Sequence, residues 1–143
     1  MPNAATPGFN AEVRAFLEQT KTPGILATVG RSGGPVTSAV WYALDGDTII
    51  VSTPSDGTKA NNVRRDGRVS FIVDTRERPY RGVAIEGEAA ALPDPDLTLW
   101  RLIAHRYVGD DVSPEMRQRM ESRPRALIRV VPRRVRPWNI DGA

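Results

Sequence analysis

The segment from Ser52 to Asp66 holds the side chains best suited to bind an anion. Its sequence, STPSDGTKANNVRRD, predicts a strand end, a glycine-containing loop and a helix that begins at Thr58. The first turn of a helix exposes unpaired N–H groups and carries a partial positive charge, and both attract phosphate. Thr58 adds a hydroxyl, Lys59 adds a mobile ammonium, and two arginines follow one to two turns later. The pattern indicates a phosphate site, and the alternative is a capped helix whose basic side chains are only solvated.

The composition excludes several other kinds of site. The chain has no cysteine and one histidine, His105, so it has no disulfide framework, thiol nucleophile or metal site that needs cysteines or two histidines. No serine–carboxylate pattern surrounds His105, which is expected to be a structural or surface residue. Glu86 and Glu88 alternate on a strand but lack the further pattern of a hydrolase with paired carboxylates. The sequence therefore predicts no catalytic side chain and no metal.

Length and charge indicate a single soluble domain. The chain has 143 residues, 40% hydrophobic and 26% charged, which is typical of one globular domain, here taken as residues 11–140 after a flexible start at 1–10. No apolar stretch reaches the ~20 residues that span a bilayer, and the start does not resemble a signal peptide, so a cytoplasmic protein is expected. The net charge is +3 and the arginines are clustered, but aromatic residues are only 6%. Nucleic-acid binding is the less favoured alternative because no aromatic ladder accompanies the arginines.

The elements that must position the phosphate segment are mainly strands. Helices are predicted at about 11–20 (capped by Asn10), 58–65, 96–107 and from Pro114 onward, after Ser113 as cap. Strands are predicted at 25–29, 35–44, 48–53, 69–74, 83–92 and 126–131, with an extended tail through Trp138. Gly87 is expected to mark a bulge. This order favours a mainly β, α+β fold: an antiparallel split β-barrel of about six strands with flanking helices.

Four segments resemble the pyridoxamine 5'-phosphate oxidase-like FMN-binding split-barrel superfamily. They are Gly57 to Ser70 (GTKANNVRRDGRVS), Pro23 to Val29 (PGILATV), Arg31 to Tyr42 (RSGGPVTSAVWY) and Val130 to Trp138 (VVPRRVRPW). Within that superfamily the chain is most similar to flavin/deazaflavin oxidoreductase group B, whose reductases use the deazaflavin coenzyme F420. The resemblance covers residues 11–138.

The resemblance implies an oxidoreductase that transfers a hydride from reduced F420 to a conjugated organic acceptor, a small-molecule substrate. FMN is the alternative cofactor, and a non-catalytic flavin-, F420- or haem-binding protein is the alternative function. In similar proteins the cofactor lies in a groove at a homodimer interface. Its phosphate-bearing tail is expected to contact Ser52, Thr53, Thr58, Lys59 and Asn62. Its ring is expected to pack along the second strand, at Val36, Ser38, Val40 and Trp41. Trp138 is a candidate lid, and helical residues 97–120 are expected to flank the substrate pocket.

Overall fold

The computed structural model describes residues 8–143. The expectation of a flexible start at residues 1–10 therefore falls mostly outside the described residues. The elements in chain order are α1 (Ala11–Gln19), β1 (Gly24–Val29), β2 (Pro35–Val40), β3 (Ala43–Asp45), β4 (Thr48–Pro54), α2 (Thr58–Arg65), β5 (Arg68–Asp74), β6 (Gly82–Pro93), α3 (Thr98–Val108), α4 (Pro114–Glu121) and β7 (Arg125–Trp138). Within 8–143, none of these helices is both long and apolar enough to span a bilayer.

The seven strands form one antiparallel sheet in the order β2-β1-β5-β6-β7-β4-β3. The two edge strands, β2 and β3, follow each other in the chain, with only Trp41 and Tyr42 between them. Because consecutive Cα atoms are about 3.8 Å apart, the sheet must curve until these two edges approach. The prediction of a split β-barrel with flanking helices is thereby confirmed.

The predicted strand at 35–44 is in fact two strands, so the sheet has seven strands rather than six. The break falls at Tyr42, whose side chain is fully buried and whose hydroxyl donates to the carbonyl of Leu17 at 2.7 Å. Its backbone N–H donates to the hydroxyl of Tyr107 at 3.4 Å instead of to a neighbouring strand. These contacts with α1 and α3 turn the chain from one edge of the sheet to the other.

The closing strand is longer than predicted, and the predicted bulge is present. β7 continues through Trp138, pairing with β4 over its first half and with β6 along its length. The register of β6 against β7 shifts between Glu86 and Gly87. A Cβ atom on Gly87 would lie 2.5 Å from the carbonyl oxygen of Val131, which explains why glycine occupies the bulge.

The core has a main part inside the barrel, a small cluster between the sheet and α3, and a satellite cluster between α3 and α4. α1 covers the barrel with Val13, Phe16 and Leu17, and the side chain of Asn10 caps it as predicted. The satellite cluster consists of Leu97, Trp100 and Ala104 of the α3 region, with Val108, Val112, Met116 and Met120 packed against them. α4 itself contains no fully buried residue. It is therefore held over the sheet mainly by its two methionines.

Candidate functional site

A cavity of about 430 Å³ opens between the sheet and the helices, and we call it the central cavity. This volume lies within the range of small-molecule sites in proteins. The sheet and the start of α2 contribute Ala39, Val40, Trp41, Ser52, Thr53, Pro54, Lys59 and Arg125. The helices contribute Trp100, Ile103, Met116, Arg119 and Met120.

The end of β4 and the start of β7 form one polar wall. β4 pairs with β7 so that Pro54 lies opposite Arg125. The hydroxyl of Ser52 accepts hydrogen bonds from the guanidinium of Arg125, at 3.3 Å from Nε and 3.2 Å from Nη2. Desolvation by burial, and then the neighbouring charge of Arg123, lower the pKa of Arg125 from its ordinary value. Arginine nevertheless stays protonated at neutral pH, so this wall carries a fixed positive charge.

Lys59 adds a second positive charge from the first turn of α2. Among residues 8–143, no hydrogen-bond acceptor or carboxylate lies within bonding distance of its ammonium. The N-cap residue Gly57 provides no side chain to cap the first-turn N–H groups. A Cβ atom there would lie 3.1 Å from the carbonyl oxygen of Pro54 and 3.4 Å from Oγ1 of Thr53. The loop thus packs closely on the end of β4 and brings the first turn of α2 beside Thr53.

The charges of the central cavity all have one sign. Lys59, Arg119 and Arg125 line it, and the lining set contains no carboxylate, histidine or cysteine. Elsewhere in the described chain, no three or more acidic or histidine side chains gather as metal ligands would. His105 lies on the surface, 3.4 Å from the carboxylate of Asp110. The central cavity is therefore suited to hold an anionic molecule in place, and its side chains offer no acid–base pair near neutral pH.

The apolar wall is built on two tryptophans. Trp41 stacks on Tyr107 with ring centroids 4.8 Å apart and an interplanar angle of 7°. Tyr107 lies under the guanidinium of Arg106, which also donates to the carbonyls of Leu17, Glu18 and Thr20 at the end of α1. Trp100 is only 4% exposed within the satellite cluster and also lines the cavity. Each of the two rings is thus held by packing where it lines the cavity.

The structure places eight of the ten predicted cofactor residues in two separate depressions. Val40, Trp41, Ser52, Thr53 and Lys59 line the central cavity. Val36, Thr58 and Asn62 line a separate recess of about 440 Å³ together with Gly30, Arg31, Ser32, Asn61 and Arg65. Ser38 lies on β2 and lines neither. Trp138 ends β7 opposite Gly82, against which its ring packs.

Two polar groups of the phosphate segment make contacts within the chain. Asn62 is 3% exposed, and its amide donates to Oγ1 of Thr28 at 3.0 Å and accepts from Arg65 at 2.6 Å. Arg64 donates to the carbonyl oxygen of Ser55 at 2.7 Å and to its hydroxyl at 3.1 Å. Asn62 therefore ties α2 to β1, and Arg64 closes the loop before α2. Contact of Asn62 with a cofactor remains a prediction.

Sequence reasoning did not single out two of the cavity's cations. Arg125 reaches the cavity through the register between β4 and β7, which a single sequence does not reveal. Arg119 follows Met116 by three residues and precedes Met120 by one, a spacing that places it at the edge of one helical face. In the sequence, this spacing is the only indication that Arg119 lies beside the two methionines.

Comparisons with known proteins agree over nearly the whole chain. The family model of pyridoxamine 5'-phosphate oxidase matches residues 9–139. The 5a,11a-dehydrotetracycline/5a,11a-dehydrooxytetracycline reductase of Streptomyces rimosus is 31% identical over 127 residues, which are 83% of this chain and 75% of that protein. The crystal structure of a conserved hypothetical protein from Mycobacterium tuberculosis is 34% identical, with a TM-score of 0.77 over 92% of this chain and 85% of that one. A structure described as an F420 reductase is 26% identical, with a TM-score of 0.71 over 84% of this chain and 93% of that one. The residues that the family model matches include the whole lining of the central cavity.

Proposed function

The chain belongs to the pyridoxamine 5'-phosphate oxidase family, and on this basis we propose that it is an oxidoreductase that uses reduced coenzyme F420 to reduce a conjugated small-molecule acceptor. Its similarity to two reductases supports an oxidoreductase with a flavin-type cofactor. F420 is favoured over FMN because one of these relatives is described as an F420 reductase. The observation that carries the proposal is the central cavity, in which cations and hydroxyls lie beside a rigid apolar wall.

The residues present fit the phosphate of such a cofactor. Lys59 supplies an ammonium without an internal partner among residues 8–143, Ser52 and Thr53 supply hydroxyls, and no carboxylate of the lining would repel the anion. Val40 and Trp41 would support the ring system. When bound, the reduced deazaflavin supplies a hydride for the acceptor, and the cofactor rather than the protein carries this reactivity.

The chain's own residues then contribute binding, orientation and exclusion of water. Trp41 is held by its stack on Tyr107, so it gives the ring a fixed support. Trp100, Met116 and Met120 close the helical side of the cavity with apolar surface. Holding the two reactants together in a fixed orientation lowers the barrier without any acid–base pair. The proton that accompanies the hydride would come from solvent or from a hydroxyl of the cavity.

We further propose that the protein works as a homodimer whose interface covers β2. This strand forms one edge of the sheet, and Pro35, Val36, Thr37 and Ala39 are exposed on it. The exposed fraction of Val36 is 41%, which is large for a hydrophobic residue. An exposed edge strand with apolar side chains readily pairs with another chain, so a second copy over β2 would protect this edge. In that arrangement Trp138 of the second copy is the candidate lid.

The proposal is tested by titrating the purified apoprotein separately with F420 and FMN while following fluorescence. Tighter binding of F420, and reoxidation of the bound reduced cofactor by added quinones or enones, are the expected results. Tighter binding of FMN would assign the protein to the flavin-dependent reductases. Binding without reoxidation by any acceptor would indicate a carrier or sensor. Binding of neither cofactor would refute the proposal and leave only the fold.

A further inference from the structure

α4 brings to the central cavity a cation that the proposed cofactor site does not use. The helix is capped by Ser113, whose hydroxyl accepts from the N–H of Met116 at 3.1 Å. Met116, Arg119 and Met120 all line the cavity. Within the described part of the chain, the guanidinium of Arg119 makes no hydrogen bond or ion pair. Its charge is therefore available to a ligand.

We infer that Arg119 binds an acidic group of the acceptor, so that the substrate is a planar, largely apolar molecule that carries a carboxylate or a similarly acidic oxygen. This inference rests on the proposed function, in which the wall of Ser52, Thr53 and Lys59 takes the cofactor phosphate. Arg119 projects from a different wall, the helical one. We therefore assign an anion bound at this wall to the second molecule of the reaction, the acceptor.

The surroundings of Arg119 favour an acid over a neutral ligand. The other helical side chains that line the cavity are Trp100, Ile103, Met116 and Met120, and none of them carries an oxygen that could accept from the guanidinium. Arg119 is exposed, but a neutral apolar acceptor that covered its guanidinium would still remove water from the charge without replacing it, which costs free energy. A carboxylate would instead form two parallel hydrogen bonds with the guanidinium. Methionines adapt to ligands of different shape, so the charge discriminates between acceptors more strongly than the shape does.

An exposed ion pair links the end of α4 to the loop before α2. Arg123, just after α4, donates to the carboxylate of Asp56 at 2.6 Å, and Asp56 lies in the loop that precedes α2. Hydrogen bonding and the charge of Arg123 lower the pKa of the Asp56 carboxyl below its ordinary value. This pair adds one link between the helix that carries Arg119 and the helix that carries Lys59.

The same helix offers a matched control. Arg117 is exposed and does not line the central cavity, although it lies only two residues before Arg119. We therefore compare Arg119→Met, Arg119→Lys and Arg117→Met. None of the three replaces a buried residue or breaks an ion pair of the described chain, so all are expected to fold.

The test uses planar acids and their neutral amides as probes: trans-cinnamate with cinnamamide, and naphthylacrylate with naphthylacrylamide. Each is titrated calorimetrically into the wild type and the three variants, both as apoprotein and saturated with oxidised F420, so that no turnover occurs. The wild type is expected to bind at least one acid about tenfold or more tightly than its amide, in keeping with a charge-assisted hydrogen bond. Arg119→Met is expected to lose that preference, Arg119→Lys to keep part of it, and Arg117→Met to keep all of it.

Two results would overturn the inference. One is the absence of any preference for acid over amide in the wild type with both probe pairs. The other is an unchanged preference for acid over amide in Arg119→Met; a loss of F420 affinity in the same variant would then assign Arg119 to the cofactor. A failure of the proposed function would look different. The wild type would then bind neither F420 nor FMN, but the titrations of the apoprotein with acids and amides would still test the role of Arg119.

Discussion

Replacing Lys59 by methionine is expected to weaken binding of a phosphate-bearing cofactor without unfolding the protein. Lys59 lies in the first turn of α2, lines the central cavity, and makes no hydrogen bond or ion pair with other residues of 8–143. The substitution therefore breaks no native contact of the ammonium, and methionine retains most of the length of the side chain. The free energy of unfolding is expected to change by less than about 0.5 kcal/mol, as for other surface substitutions.

The size of the effect on binding follows from charge and exposure. Two unit charges about 4 Å apart attract by roughly 4 kcal/mol where the effective dielectric constant is about 20. Lys59 is only half-buried, so solvent screens part of this attraction, and the ammonium also gives up some hydration when it binds. Hydrogen bonds to charged groups are worth about 1.5–3 kcal/mol net. The dissociation constant should therefore rise about 10- to 100-fold, since each 1.4 kcal/mol corresponds to a factor of about ten.

The assay is a fluorescence titration of wild type, Lys59→Met and Arg101→Met with F420, FMN and riboflavin. Riboflavin lacks the phosphate, so its affinity should change little in Lys59→Met, whereas the affinities of F420 and FMN should fall. Arg101 is an exposed cation on α3 that lies outside the central cavity, and its loss controls for net charge. The reasoning would be refuted if riboflavin and FMN weakened equally, or if Arg101→Met had the same effect as Lys59→Met.

Three further predictions concern the fold. Tyr42→Phe removes a buried hydroxyl that donates to two carbonyls at the end of α1, at 2.7 and 3.0 Å. The free energy of unfolding, measured in urea, should fall by about 1–2 kcal/mol, and an unchanged value would contradict this. Gly87→Ala places a Cβ atom 2.5 Å from a backbone oxygen of β7 and should cost about 1–3 kcal/mol in thermal unfolding. The matched Gly34→Ala, which meets nothing within 4 Å, should be close to neutral. Hydrogen bonds from Arg68 hold the pKa of the Asp66 carboxyl at about 2, below its usual 3.8. The contribution of these bonds to the stability of the folded protein is therefore complete above pH 3.8 and is lost as the pH falls through about 2. An NMR titration should find this low pKa, and Arg68→Ala should move it back toward 3.8; an unchanged value would exclude Arg68 as its cause.

Local signals were sufficient to predict the helices. α2 begins at Thr58 and ends at Arg65 as predicted, because Gly57 before it and Asp66–Gly67 after it are both strong breakers of helical structure. The cap of α4 at Ser113 was also correct. The interruption between β2 and β3 was missed because it depends on contacts of Tyr42 with Leu17 and Tyr107, which lie far away in the chain.

The candidate site was predictable only where neighbours in sequence are neighbours in space. Ser52, Thr53 and Lys59 belong to one continuous strand–loop–helix segment, and the structure brings them together in the central cavity. Arg125 joins them through pairing with β4, which is a long-range contact. Asn62 was placed at the cofactor because one sequence does not fix which residues of α2 are buried, and in the structure it is buried together with Ala60 and Val63.

The order of the strands also links the supply of a ligand to the stability of the folded chain in the cell. The central cavity draws on β2 and β4, which lie toward opposite ends of the sheet, and Arg125 reaches it only after β7 has paired with β4. Pairings between distant segments close long loops and form slowly. A ligand of the finished cavity therefore binds completely folded chains and stabilises them by mass action. We expect newly made chains that lack this ligand to be degraded faster than chains that have bound it.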